Sequence, residues 1–159
     1  MTNNEVLQHV RYIFALSNEQ LAAIFQLAQC PQSDEAISQF LLKNGDPAFR
    51  RVPDNVLASF LDGLIIEQRG VKDGAQAQLQ QTINNNSIFN KVKIALALKA
   101  DDIIAVLAAA DLTLSKHELS AFFRKVEHKH YRSCSDETLL KFFNGLHLQH
   151  QHAIKLIKE

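Results

Sequence analysis

Four charged residues stand in a pattern that could do chemistry: Arg50 with Asp54, and Arg132 with Asp136, each an arginine four residues ahead of a carboxylate. An arginine in a loop before an acidic helix start can bridge to that acid and to open carbonyls, fixing how the loop enters the helix. This structural role is the reading the pattern favours, since perturbed charge pairs mark sites only statistically. Turned toward one cleft, the two arginines would instead grip a phosphate or carboxylate through paired N–H donors. Together with Asp54 and Asp136 they are also the set from which an enzyme site between two halves of the chain would be built.

The segment FFRKVEHKHYRSC, residues 122–134, gathers Arg124, Lys125, His128, Lys129, His130 and Arg132 around Tyr131. Basic groups interleaved with an aromatic ring suit a phosphate backbone and an unstacked base. The helix, short turn and helix expected just before it would suit a reader of duplex grooves. The competing reading is a solvated loop, because the matching earlier segment keeps Lys43 and Arg50 but has Asn44, Asp46 and Ala48 in place of Val126, His128 and His130. His147 and His150 share a helix face, but His152 points elsewhere and no Cys, Asp or Glu completes a set at ligand spacing, so no metal is expected. Cys134 near His130 suggests a thiol nucleophile, yet that chemistry needs a base in reach and an orienting group. No P-loop, G-x-G-x-x-G, G-x-S-x-G or H-E-x-x-H occurs. No catalytic residue and no cofactor are therefore assigned.

What must position these side chains is a tandem duplication. Residues 3–64 lie over residues 85–146 without a gap, and 17 of the 62 pairs are identical, where chance gives roughly three or four. The match is strongest where FRRVPDNVLASFLDGLI, residues 49–65, returns 82 positions later as YRSCSDETLLKFFNGLH. Within each copy the apolar residues recur at three- and four-residue steps, and no segment alternates as a strand does. The fold class expected is all-α, two tandem four-helix repeats. Residues 1–70 form the first, 71–84 a Gln/Ala-rich connector, 85–150 the second and 151–159 a helical tail.

Local signals set the helices. Asn3 or Asn4 caps the first, Ser17 with Gln20 has capping-box spacing, and Ser33 precedes Asp34 and Glu35 at a third start. That third helix is expected to end near Lys43, at the turn Asn44-Gly45-Asp46-Pro47. A cap needs one side chain, so in the pairs Asn3-Asn4 and Asn85-Asn86 the second residue is spare. Asn4 and Asn86 are left to bond the other copy, a ligand or a local turn. Gly63 and Gly145 sit inside helices at a cost of roughly 0.5–1 kcal/mol each relative to Ala, which predicts another helix passing close to the backbone there.

The paired Asn-Asn starts, the [FY]-R-x-x-x-D segment and F-x-x-G-L in each half resemble the YehS-like family, bacterial proteins made of two copies of a domain of unknown function. The resemblance covers nearly the whole chain and implies a small, soluble, all-helical bacterial protein with no established activity and no catalytic residues to carry over. It also implies a Cys two residues before the aspartate; Cys134 fits and Val52 departs.

The chain is long enough to bury a core without staples. No apolar run reaches the roughly 18–20 residues of a membrane span, and the polar start MTNNEVLQHV is unlike a signal peptide. Two cysteines at non-equivalent repeat positions do not make a disulfide framework, so the protein is read as cytoplasmic. The net charge of zero hides an asymmetry: residues 1–70 hold 5 Lys+Arg against 8 Asp+Glu, and residues 83–159 hold 11 against 8. An anionic partner would meet the second copy. The function expected is non-enzymatic binding by an adaptor or regulatory module using the groove between copies, with a protein partner. Nucleic-acid binding through residues 124–132 is the alternative, and an enzyme between the repeats the third.

Overall fold

The computed structural model describes residues 1–70 and 83–158, with side chains described up to Gln149. The connector expected at 71–84 lies almost wholly outside them, as do the side chains of His150 and His152. Among the described residues there are eight helices and no strand, four helices to a copy: α1 (Asn3–Ile13), α2 (Asn18–Leu27), α3 (Asp34–Phe40), α4 (Asp54–Arg69), α5 (Asn85–Ala95), α6 (Ala100–Ala109), α7 (Lys116–Ala121) and α8 (Asp136–Lys158).

The caps follow the sequence with one correction. Ser17–Gln20 and Ser115–Glu118 close reciprocal capping boxes, and Ser33 accepts from Ala36 N–H. The first helices of the copies, however, are capped by Thr2 and Asn84, not by Asn3 or Asn4. Thr2 and Glu5 already satisfy each other's backbone amides, which releases both asparagines for longer-range bonds. α3 also stops at Phe40, short of Lys43, because the carbonyls of its last turn are diverted. Gln39 O accepts from Arg50 N–H and Phe40 O from Asn4. The second copy repeats this with Ala121, Arg132, Phe122 and Asn86.

The two copies share one continuous core that runs from Val6 to Leu146. Within a copy the second helix crosses the fourth: α2 lies on α4 and α6 on α8. The crossing point is Gly63 in one and Gly145 in the other, where a methyl group would run into the carbonyl oxygen of Ile24 or its counterpart Val106. The close approach that two mid-helix glycines implied is therefore a backbone-to-backbone contact. The copies differ in how they fill the space beneath it. Leu7 and Phe25 in the first become Phe89 and Leu107 in the second, all four fully buried. The large ring moves from α2 to α5 while total volume is kept, the kind of exchange a core tolerates. Phe25 accordingly meets Phe60 at 5.0 Å, whereas Phe89 stacks on Phe142 at 4.3 Å.

Between copies the packing is reciprocal: the first helix of each lies on the last helix of the other, α1 on α8 and α5 on α4. Met1 meets Asp136, His9 meets Phe143, and Tyr12 meets His147, so α1 and α8 run parallel. With Asn3 on Asp54 and Asn85 on Asp136, the starts of α1, α4, α5 and α8 all meet at one end. Four positive dipole ends gathered together need negative charge, and Asp54 and Asp136 supply it in the first turns of α4 and α8.

Gly145→Ala is expected to destabilise the protein by about 1–3 kcal/mol, read as a fall of about 2–4 °C in melting temperature for each kcal/mol. A melt identical to that of the parent would show that α6 does not press on α8 there.

Candidate functional site

The duplicated polar residues are brought together, but in bonds to the backbone. Asn4 Nδ2 donates to the carbonyls of Phe40 (3.0 Å) and Arg50 (2.8 Å), and Asn4 Oδ1 accepts from Val52 N–H (3.0 Å). Asn86 makes the same three bonds to Phe122, Arg132 and Cys134. Asn3 donates to Asp54 (2.7 Å) and to Val52 O, and Asn85 to Asp136 (2.7 Å) and to Cys134 O. The spare asparagines thus tie the loop before α4 or α8 to the start of α1 or α5. Asn4 is the one buried polar residue of the described chain, 6% exposed, which is tolerable because all its amide groups are paired.

The arginines do not make the expected bridge. Among the described residues neither Arg50 nor Arg132 forms an ion pair with its aspartate; Asn3 and Asn85 bond those carboxylates instead. Arg50 and Arg132 serve through their main chains, as donors to Gln39 and Ala121 and acceptors from Asn4 and Asn86. Their side chains are exposed, and the guanidinium of Arg132 lies 5.9 Å from the Phe122 ring centroid. The groove of about 450 Å³ beside Asp54 is lined by Arg51 rather than Arg50. Asp136 is held below the usual carboxylate range by the Met1 amino group and by Asn85.

Cys134 lacks the character of a nucleophile. Its side chain is buried, and desolvation, helped by the Asp136 charge, pushes the thiol up to about 12. Of the histidines, His128 and His130 lie 5.5 Å apart in the exposed basic loop. Among the described residues no group of three or more His, Cys, Asp or Glu is placed to hold a metal.

One polar cluster was not legible as a site. His9 Nδ1 and His147 Nε2 are 2.9 Å apart across the α1–α8 seam. His9 stacks on Phe143 (5.0 Å) and Tyr12 sets its edge against His147 (4.7 Å). They border a groove of about 490 Å³ together with Glu5 and Gln8. Burial depresses the His9 imidazole below its ordinary value, against a smaller opposing pull from Glu5. The α5–α4 seam is built quite differently. Lys91 stands in place of His9 and pairs with Asp62; Ile94 replaces Tyr12, and Ile65 replaces His147. The signal available in the sequence was the mismatch itself, polar rings in one copy opposite aliphatic and ionic residues in the other.

The fold and these ties define a tandem helical repeat in which each copy completes the other. The chain belongs to the family described as "Protein of unknown function (DUF1456)", whose profile matches residues 3–70 and 85–151. It is 40% identical over 147 residues to "Uncharacterized protein YehS" of Escherichia coli (strain K12), covering 92% of this chain and 94% of that protein. No solved structure matches it. Among the described residues no helix is long and apolar enough to cross a membrane.

Two outcomes follow. Asn86→Ala is expected to cost about 1–3 kcal/mol in urea unfolding by orphaning loop amides and carbonyls, and Arg132→Ala under about 0.5 kcal/mol; equal losses would return the arginine to a structural role. Iodoacetamide should alkylate partly exposed Cys30 well before Cys134 in the folded protein, and matched rates would contradict the buried, protonated thiol.

Proposed function

We propose that the protein is a non-enzymatic binding module whose partner, a helix of another protein, seats in the seam between α1 and α8. The observation that carries this reading is the inequality of two seams that descend from one plan. The α5–α4 seam is filled by Ile65, Ile94 and the Lys91–Asp62 pair. The α1–α8 seam keeps a groove bordered by His9, Tyr12 and His147. Along α8, Leu140 and Leu148 remain 40% and 49% exposed, where their counterparts Ala58 and Ile66 are buried or half-buried, and Tyr12 is 51% exposed. Exposed leucines two turns apart on one of the two helices that form the seam suit the apolar face of a partner helix, and the imidazoles that border the groove offer that helix a polar anchor. Two free thiols support a reducing compartment.

A photo-crosslinking amino acid placed at Tyr12, with a second version at Ile94 in the closed seam, tests this in living cells. A discrete protein adduct is expected from position 12, none from position 94, and loss of the adduct when His147→Ile gives the open seam its counterpart's residue. Equal labelling from both positions, or none from position 12, would overturn the proposal.

A further inference from the structure

Two cavities of this protein correspond to one another through the duplication. One, of about 400 Å³, is bordered in the first copy by Glu5, Gln8, Leu42, Lys43 and Phe49. The other, of about 200 Å³, is bordered in the second copy by their counterparts Ser87, Asn90, Arg124, Lys125 and Tyr131. The lysine and the aromatic ring recur. What changes is the charge: Glu5 gives way to Ser87, Leu42 to Arg124 and Arg51 to Ser133, so a pocket bordered by Lys43, Arg51 and an acid becomes one bordered by two cations and no carboxylate.

The polar groups of the two pockets are also spent differently. In the first copy Glu5 accepts from Thr2 N–H (3.0 Å) and Gln8 donates to Leu41 O (3.1 Å). In the second, the Ser87 hydroxyl, the Asn90 amide, the Lys125 ammonium and the Tyr131 hydroxyl have no partner among the described residues. Phe123, where the first copy has Leu41, adds a second ring to the wall, with Lys93 Nζ 4.1 Å from its centroid. Arg124 is steadied by His128, whose Nε2 lies 3.1 Å from its Nη1.

We infer that this second-copy pocket binds a nucleotide unit, its phosphate on Arg124, Lys125, Ser87 and Asn90 and its base ring against Tyr131 and Phe123. Two cations with neutral donors between them match a multi-oxygen anion better than a single carboxylate. Aromatic walls take a base by stacking, whatever its sequence. The pocket lies at the start of α5, whose dipole favours the same charge. Its size admits one phosphate and the edge of one ring, so a duplex or a helix does not enter. The ligand is either a free mononucleotide or one residue of a single strand, and both present the same chemistry.

Amide chemical-shift mapping with inorganic phosphate and adenosine monophosphate tests the site, and anisotropy of a short labelled oligoadenylate separates the sources. The nucleotide is expected to shift amides of residues 84–90 and 122–131 and to bind roughly tenfold more tightly than phosphate alone. Arg124→Gln with Lys125→Gln, both exposed positions, should weaken it by about tenfold or more at an unchanged melting temperature. Lys43→Gln in the first-copy pocket should leave it intact. Tyr131→Leu should erase the preference over phosphate. Tighter oligoadenylate binding that falls steeply with salt identifies a single strand; oligoadenylate no tighter than the mononucleotide identifies the free nucleotide. Absence of shifts at those amides with all three ligands, phosphate as tight as nucleotide, or equal loss in the Lys43 variant would each overturn the inference.

Discussion

A loop that runs beneath a helix start must pair its amide and carbonyl groups, and in both copies one asparagine does this. Asn4 and Asn86 each take one N–H and give two bonds to carbonyls 36 and 46 residues away. Everything else at that end depends on the tie. It ends α3 and α7 early, draws the start of α4 or α8 against the start of α1 or α5, and brings four helix termini together. Asp54 and Asp136 then sit where the dipoles need negative charge, each held by the neighbouring Asn3 or Asn85. Leaving such groups buried and unpaired costs more than the net gain of forming the bonds, so an asparagine at this position governs geometry beyond its share of stability.

How much of this was legible in the sequence depended on distance along the chain. Ser17, Ser33 and Ser115 act on amides three residues away, and their caps were readable. Gly63 and Gly145 were readable because a glycine inside a helix asks for an explanation that packing provides. The partners of Asn4 and Asn86 are dozens of residues off, and local rules offered a cap instead, an offer that Thr2 and Asn84 had already taken up. The Arg–Asp spacing suggested a bridge, but spacing does not reveal that another side chain reaches the carboxylate first. His9 and His147 stand 138 residues apart, and each copy alone gives no reason to pair them.

Duplication supplies an internal control that a single domain lacks. Where the copies agree, as at the asparagines, aspartates and mid-helix glycines, the structure shows a shared requirement of the fold. Where they disagree at equivalent places, packing is an insufficient explanation, because the other copy demonstrates a simpler solution. The core disagreement of Leu7 and Phe25 with Phe89 and Leu107 cancels in volume and leaves no trace at the surface. The disagreements at the α1–α8 seam and around Arg124 do not cancel. They leave one groove open and one pocket without a carboxylate.

The reciprocal packing of first on last helices also has a consequence for synthesis. α1 is made well before α8, yet they lie side by side, so the first copy leaves the ribosome with an apolar face whose cover does not yet exist. Long-range closure of this kind slows folding, and exposed apolar surface during the wait invites association with other chains. The molecule therefore cannot close until α8 has emerged, and that helix acts as the clasp of the fold.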